Sequence, residues 1–435
     1  MKESSSRRIH YGFVILACCC LMMGVDVGLV MSCASIFYGP VSGALGVSVG
    51  EFGVYMSLSF ITSSLMLSVA GNMLERYSAR RVITVASAVC GVALGAMGLY
   101  DALWEFYVSG AVMGATLAFL LYMGFPTLIN RWFRTRVGLL IGICSASSGI
   151  GGIIFNPIGG WVITEWGWRW GYILFGLIIL LLVTPALGLL LRDHPADRGL
   201  RPFGEEAGAA EKGREDEASV RKEDNLGEEY AVEKSAVVQG DSVSYSAAVR
   251  MPVFYALVAF AFLVMAISTL NLFIPKYATV EGFSLEQSAI AASSIMAGVT
   301  VGKLLLGYIN DRSCRLGTLV TGICGITGLA LLLADSDSLA VLLTGSFLFG
   351  WEYAGVTVQT AMLVRTVFGS GDYARIFSVI SMALAAGGAV ASAGWGFMSD
   401  ALGFPSIFLA GILLLALAVA LGLISLRSRR RAAGL

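Results

Sequence analysis

Long apolar segments dominate this chain and limit what it can fold into. Each is about 20 residues long, the length at which a helix that rises ~1.5 Å per residue crosses the ~30 Å hydrocarbon core of a bilayer. Glycine, proline and charged residues separate one segment from the next. The pattern predicts an all-α membrane protein with twelve transmembrane helices, at residues 12–39, 52–74, 82–99, 104–129, 137–162, 168–191, 252–275, 287–310, 316–334, 338–365, 373–399 and 404–427.

The composition also indicates a membrane protein. Charged residues make up 13% of the 435 residues and hydrophobic residues 57%, whereas a typical soluble domain is about 25% charged. The formal net charge is zero, so nothing indicates binding to nucleic acid. The two histidines lie outside the apolar segments, and no pair among the eight cysteines has metal-ligand spacing. We expect no cofactor and no metal, and no nucleophile–base set indicates an enzyme.

Arginines are concentrated in alternate loops, and this sets the orientation because basic loops stay on the cytoplasmic side. If the N-terminus is cytoplasmic, the inner loops hold Arg76, Arg80, Arg81, Arg131, Arg134, Arg136, Arg312, Arg315, Arg365 and Arg375. We therefore predict a multi-pass protein of the plasma (inner) membrane, surrounded by the lipid bilayer, with both termini in the cytoplasm.

The apolar segments form two sets of six, and one polar segment separates them. The predicted units are an N-terminal six-helix bundle at 1–191, a cytoplasmic central loop at 192–250, a C-terminal six-helix bundle at 251–427 and a basic cytoplasmic tail at 428–435. The loop is rich in Glu, Lys, Gly and Ala and poor in aromatic residues, so we expect it to be mostly disordered or loosely helical. We expect the protein to be a monomer.

The joints after the second and eighth apolar segments repeat one pattern. They read "GNMLERYSARR" (71–81) and "GYINDRSCR" (307–315), and each places a glycine four residues before an acid–arginine pair. Glycine lets two helices approach closely, and the acid can pair with arginine or face a helix N-terminus. Equivalent positions in the two halves indicate an internal duplication, as in some secondary transporters. The repeat predicts a gate formed by Gly71, Glu75, Arg76, Arg80, Gly307, Asp311 and Arg312.

Both joints resemble the loop motif G-x-x-x-D-R-x-G-x-R of the major facilitator superfamily. The first copy has Glu75 in place of Asp and Ser78 in place of Gly. Residues 130–152, 167–176 and 192–204 resemble the monocarboxylate and oxalate:formate antiporter branch of that superfamily. The resemblance covers nearly the whole chain. It implies the major facilitator fold, with two pseudo-symmetric six-helix bundles and a binding site between them.

Three ionisable side chains lie deep inside apolar segments: Asp26, Lys303 and Glu352. Lys303 precedes Arg312 by nine residues, which is about 13 Å along a helix and places it near the bilayer midplane. A lysine there costs about 2.5–3.5 kcal/mol, and such groups usually face a bundle interior or a wet cavity. In the resembling branch, an arginine at the position of Lys303 binds the substrate carboxylate. Lysine presents a single compact ammonium group, whereas the arginine guanidinium binds a carboxylate through two parallel N–H bonds.

We expect Lys303 to bind a substrate anion. Two other roles stay open, namely a structural ion pair with Asp26 or Glu352, or an ammonium group that extends to the cytoplasmic interface. A carboxyl group in hydrocarbon takes up a proton more readily than one in water, so Glu352 and Asp26 are candidates to carry a coupled proton. They could instead hold the amino group of a zwitterionic substrate, and Asp26 could simply hydrogen-bond within its bundle.

Polar side chains in other segments complete the predicted site. Tyr122, Asn271 and Tyr353 could orient a carboxylate by hydrogen bonds, although each could equally be a packing residue. The resemblance implies that an oxalate-type site has a second basic residue in the eleventh span. Residues 376–399 contain none, which favours substrates with one carboxylate.

The sequence therefore predicts a secondary transporter that moves a small organic anion, most simply a monocarboxylate, by alternating access. Its expected partners are that anion and either protons in symport or a counter-anion in exchange. Two alternatives stay open. One is a transporter of a zwitterionic or other small metabolite, in which Lys303 is structural. The other is a non-transporting membrane sensor.

Overall fold

A computed structural model describes residues 10–204, 243–334, 337–369 and 372–432 of the chain. Twelve helices in this part are long and apolar enough to cross a membrane, which confirms the predicted fold class. They are α1 (Gly12–Leu45), α2 (Val49–Arg76), α3 (Ala79–Leu99), α4 (Leu103–Trp132), α5 (Val137–Trp166), α6 (Trp168–Leu190), α7 (Pro252–Leu272), α8 (Leu285–Arg312), α9 (Cys314–Leu332), α10 (Leu339–Phe368), α11 (Arg375–Leu402) and α12 (Phe404–Arg427).

Serine caps fix the start of several helices and repeat between the two halves. Ser48 precedes α2 and forms a reciprocal capping pair with Glu51, and Ser284 precedes α8 and does the same with Gln287. Such caps satisfy backbone N–H groups that have no partner inside the helix. They also explain why α2 and α8 begin before their apolar segments do. Equivalent caps at equivalent helices agree with the predicted duplication.

Several helices depart from regular α-helical geometry inside the membrane, and α4 and α6 contain π-helical stretches at Ala118–Gly124 and Ile179–Val183. In α1, residues Met23–Ser32 form a π-helical stretch that contains Asp26. In α7, residues Thr269–Leu272 form a 3-10 turn, and a short helix, Ile274–Val280, follows it. Irregular helical turns of this kind often occur at functional sites, because they re-aim side chains and change the backbone hydrogen bonding. The break in α7 positions Asn271.

The helices pack as two six-helix bundles, α1–α6 and α7–α12. The contacts between bundles are made mainly by α2 with α11 and by α5 with α8. We call the end of the molecule that holds Tyr11, Arg76 and Arg312 the termini side, and the opposite end, which holds Val49 and Leu402, the far side.

The segment after α6 is folded, in contrast to the disorder predicted for the central loop. Phe203 pairs with Phe133 as a short parallel bridge, in which its N–H donates to the carbonyl of Trp132 at 2.8 Å. The Phe203 ring packs against Phe13, and His10 bonds the carbonyl of Arg201. Aromatic anchors therefore hold residues 192–204 against the N-terminal bundle.

The rest of the central-loop prediction falls largely outside the described residues, since 205–242 are not among them. Where the chain is described again, Tyr245–Ala248 form one helical turn before α7. At the other end, the helix that begins at Phe404 continues through Ala432. The predicted basic tail therefore starts as part of this helix, and residues 433–435 lie outside the described part.

Candidate functional site

Lys303 lies at the interface between the two bundles, on α8. The preceding residue, Gly302, packs against the backbone of Trp351 in α10, so this face of α8 belongs to the C-terminal bundle. The half-buried Lys303 side chain points the other way, and its Nζ donates to the carbonyl of Ser145 on α5 at 3.3 Å. The ammonium group thus joins the two bundles and does not extend to the end of its helix.

Neither buried acid is the partner of Lys303. Glu352 is fully buried in the C-terminal bundle, where the Oγ of Ser268 lies 3.1 Å from both of its carboxyl oxygens. Its Cβ and Cγ pack against Gly325 of α9, so the side chain points into the bundle and away from the N-terminal half. Ser268 stands between Glu352 and the interface.

Asp26 is enclosed in the other bundle. Its Oδ1 accepts a hydrogen bond from Ser87 on α3 at 3.2 Å, and Ser87 also bonds Thr184 on α6. The second oxygen, Oδ2, is buried and has no hydrogen-bond partner among the residues that the structure describes. Asp26 and Glu352 are therefore placed alike, each bonded to a serine inside its own bundle.

A small cavity lies between the bundles near the break in α7. Asn271 and Tyr353, both predicted site residues, line it together with Ser268. The Tyr353 hydroxyl is within reach of the Asn271 amide, whereas Tyr122, also a predicted site residue, is 38% exposed and does not line this cavity. The other lining residues are Met31, Met56, Phe60, Met265, Thr269 and Leu272. The lining from the N-terminal bundle is thus apolar, and all the polar lining residues come from the C-terminal bundle.

The far side of the interface is closed by a contact that the sequence analysis missed. Asp400, at the end of α11, accepts hydrogen bonds from the backbone N–H groups of Val49 and Gly50 at 3.3 and 2.8 Å. These are the first N–H groups of α2, where the helix dipole favours a negative charge. Gly396 lies directly against the backbone of Gly50, which leaves no room for a side chain.

Helix α5 shows where the bundles separate. Near the middle of α5, Gly149 packs against Met296 and Thr300 of α8, and one turn closer to the termini side Ser145 accepts the bond from Lys303. About one turn further toward the termini side, Gly142 has nothing within 4 Å of the position that a Cβ atom would take. The bundles therefore diverge beyond Lys303, and the interface opens toward the termini side.

The predicted gate residues lie on that open side and do not form one cluster. Gly71 and Gly307 have nothing within 4 Å of a built Cβ atom, and Glu75, Arg76 and Asp311 are exposed. In the first copy, Arg80 is held by its own bundle, with its Nε donating to the carbonyl of Gly188 at 2.6 Å. In the second copy, Arg312 lies over the ring of Tyr308 and bonds its hydroxyl group.

A sequence signal for Asp400 was present. The stretch "GFMSD" (396–400) has the same glycine-to-acid spacing as the two joints that predicted a gate, but it lies at the far side. The three methionines and Phe60 of the cavity gave no such signal, because an apolar residue in a membrane span looks the same whether it faces lipid, core or cavity.

Comparison with known proteins agrees with this architecture. A sequence model of the Major Facilitator Superfamily matches residues 16–362. The chain belongs to this superfamily. Monocarboxylate transporter 12 of Homo sapiens is 24% identical over 395 residues, which cover 85% of this chain and 71% of that protein.

Two further similarities are local or structural. The probable transporter MCH2 of Saccharomyces cerevisiae is 38% identical over 112 residues, but these cover only 26% of this chain and 23% of that protein. A crystal structure of a bacterial homolog of the human lysosomal transporter Spinster matches with a TM-score of 0.72 at 16% identity, over 97% of this chain and 98% of that chain. At this identity, the second similarity supports the superfamily fold alone.

Proposed function

We propose that this superfamily member transports a small organic anion, most simply a monocarboxylate, by alternating access. One observation carries the proposal: the Lys303 ammonium lies between the two bundles and bonds a neutral backbone carbonyl, with no ion pair to any described carboxylate. A carboxylate bonds an ammonium group more strongly than a carbonyl does. Lysine has three N–H donors, so an entering carboxylate can bind without full loss of the contact with Ser145.

Lys303 does not line the cavity beside α7, so we propose this cavity for the uncharged part of the substrate. Asn271, Tyr353 and Ser268 offer hydrogen bonds along one wall, and Met31, Met56 and Phe60 offer apolar contact along the other. Sites for small molecules commonly combine mostly apolar walls with a few polar groups that fix orientation. The similarity to Monocarboxylate transporter 12 favours the same substrate class.

We infer that the termini side faces the cytoplasm, so the described conformation is open to the inside. The support is the concentration of arginines in the termini-side loops. Transport then requires the opposite state, in which the far side opens and the termini side closes. The gate residues, with Gly71 and Gly307 lying open in the described state, are suited to make that closing contact.

Glu352 is the better candidate for proton coupling. Ser268 has one hydroxyl hydrogen, and its shortest contact is with the Val264 carbonyl at 2.8 Å, which can only accept. If Ser268 donates its hydrogen to the Val264 carbonyl, its Oγ can only accept in the bond with Glu352. The Glu352 carboxyl group must then be protonated to donate that bond. This arrangement suits a carboxyl group that is protonated in one state of the cycle. Ser268 also lines the cavity, so it connects Glu352 to the substrate, whereas Asp26 has no such connection among the described residues.

Uptake of radiolabelled monocarboxylates into proteoliposomes tests the role of Lys303. We expect Lys303→Gln to lose uptake while Lys303→Arg retains part of it, because arginine keeps the charge. Lys276→Gln is the matched control, since Lys276 is an interface lysine near the far side that contacts Gly39. Wild-type uptake by a folded Lys303→Gln variant would refute the proposal, and absence of uptake by the wild type for every anion would favour a sensor.

A separate measurement tests coupling. We expect Glu352→Gln to exchange internal for external substrate but to lose the response of net uptake to an imposed proton gradient. Asp26→Asn serves as the comparison, because it changes a similarly buried acid in the other bundle. If Asp26→Asn lost the response and Glu352→Gln kept it, the assignment would be reversed.

A further inference from the structure

A cleft on the termini side of the N-terminal bundle has a marked excess of positive charge. It lies between the end of α4 and the folded segment 192–204, and its volume is about 640 Å³. Its polar lining comes from Arg131, Arg134, Arg201, His194, Asn130 and Thr127, and no acidic residue of the described ranges lines it. Pockets of this size, about 300–1,000 Å³, commonly hold small molecules.

The two acids of the folded segment 192–204 bond backbone N–H groups. Asp193 accepts a bond from the backbone N–H of Arg80 at 2.7 Å, and Asp197 accepts one from the backbone N–H of His194 at 3.0 Å. No ion pair involves a cleft arginine among the described residues.

The walls of the cleft are held in place independently of the arginine side chains. The Trp132 indole N–H donates to the carbonyl of Arg192 at 3.0 Å, and the Arg134 N–H donates to the carbonyl of Phe203 at 2.9 Å. Arg131 is oriented by a bond from its Nη2 to the carbonyl of Leu74 at 2.9 Å. The concentration of arginines in cytoplasmic loops explains why this end of the molecule is basic. It does not explain why a folded segment brings arginines from two parts of the chain to one cleft.

We propose that this cleft binds a phosphate group. Guanidinium groups match phosphate oxygens through paired N–H bonds, and several converging arginines are the usual way to bind a group with more than one negative charge. Arg134 lies at the end of α4 and Arg201 on the segment after α6, so a phosphate bound by both would tie these two parts of the chain together. Two sources have this chemistry, the headgroup of an anionic phospholipid and a soluble phosphate.

Thermal unfolding of the purified full-length protein in neutral detergent separates these sources. One arm adds dioctanoyl phosphatidylglycerol, with dioctanoyl phosphatidylcholine as the zwitterionic reference. The other adds inorganic phosphate or pyrophosphate, with sodium chloride at equal ionic strength. A rise in unfolding temperature with phosphatidylglycerol alone assigns the headgroup, and a rise with pyrophosphate as well assigns a soluble ligand. Both results support a phosphate site.

Matched variants distinguish the cleft from diffuse positive charge. We expect Arg134→Gln/Arg201→Gln to lose the ligand-dependent shift, because the backbone bonds that fold the cleft stay while two of its donors are removed. Arg250→Gln/Arg315→Gln removes the same charge from exposed positions outside the cleft and should keep the shift. Equal loss in both pairs, or no shift of the wild type in either arm, overturns the proposal.

A milder variant covers the case in which the glutamine pair fails to fold. Arg134→Lys/Arg201→Lys keeps the charge but removes the paired N–H geometry. We expect a folded lysine pair to need a higher pyrophosphate or phosphatidylglycerol concentration for the same shift. An unchanged concentration dependence would contradict recognition of phosphate by the two arginines.

Discussion

The two ends of the interface between the bundles differ in how the same sequence pattern is used. At the far side, Gly396 packs against Gly50 and Asp400 bonds the first N–H groups of α2. At the termini side, Gly71 and Gly307 have the same spacing to an acid, but nothing lies within 4 Å of a Cβ atom built on either glycine. In the described conformation, the glycine–acid pattern is therefore engaged in a helix contact at the far side and not at the termini side.

The largest effect is expected from filling the far-side contact. In Gly396→Val, the side chain would meet the backbone of Gly50, and overpacking of this kind costs about 1–3 kcal/mol. This cost would favour an open far side, so amide hydrogens at the start of α2 should exchange roughly 5- to 150-fold faster. Hydrogen-exchange mass spectrometry measures this directly, and anion uptake should fall in parallel.

Gly394→Val is the control for that change. Gly394 lies on the same helix, and nothing lies within 4 Å of a Cβ atom built there. In Gly394→Val, we expect the amide hydrogens at the start of α2 to exchange at the wild-type rate. Equal acceleration by both valine variants would mean that the closure does not depend on the contact between Gly396 and Gly50.

The next largest effect is expected at Gly149 of α5, and it differs from the effect expected at Gly142, about two turns away on the same helix. Gly149→Val should lower thermal stability by about 1 kcal/mol or more, because its side chain would meet Met296 and Thr300. Gly142→Val should leave stability unchanged and still slow uptake, because the termini-side halves of α5 and α8 must approach when the far side opens. Wild-type uptake by Gly142→Val would show that the bundles do not close there.

A smaller effect is expected from the charge of Asp400. Asp400→Asn keeps the size of the side chain but removes the negative charge from the start of α2, an interaction worth about 0.3–1 kcal/mol. Exchange of the Val49 and Gly50 amides should rise by no more than about fivefold. Asp372→Asn is the control, because Asp372 accepts a bond from the Tyr245 N–H inside one bundle. If the Val49 and Gly50 amides exchanged at the wild-type rate in Asp400→Asn, the negative charge of Asp400 would not contribute to the closed far side.

The smallest effect on stability is expected at the open side. Asp311→Asn changes an exposed acid, and exposed substitutions usually alter stability by less than about 0.5 kcal/mol. We expect its unfolding temperature to equal that of the wild type, while uptake decreases because the closed termini side needs the acid. A marked loss of stability without loss of uptake would show that Asp311 stabilises the fold and has no role in transport.

Much of the fold could be predicted because its signals are local. The length of each apolar segment gives the spans, and the repeated joints at 71–81 and 307–315 indicate the duplication. The starts of α2 and α8 lie a few residues earlier than predicted, because the capping residues Ser48 and Ser284 set them. The disorder prediction was wrong for 192–204, because a few anchors such as Phe203 outweigh a polar composition when a surface is available to receive them.

The candidate site was predicted only in part. Asn271 and Tyr353 do line the same cavity, and Lys303 does lie between the bundles. The possible ion pair between Lys303 and Asp26 or Glu352 is not formed, since both acids bond serines inside their own bundles. Depth along a helix can be counted in a sequence, whereas the direction of a side chain depends on the rotation of that helix against its neighbours.

The sequence by itself determined the twelve spans, the two halves and the depth of Lys303, because hydrophobic length and helix rise are properties of each segment alone. Only the tertiary structure decided that Lys303 meets Ser145, that Asp26 and Glu352 are kept apart, and that Asp400 closes the far side. The contacts of Lys303 and Asp400 depend on how the two bundles dock, and those of Asp26 and Glu352 depend on how helices pack within each bundle. In both cases the contacting residues are far apart in the chain.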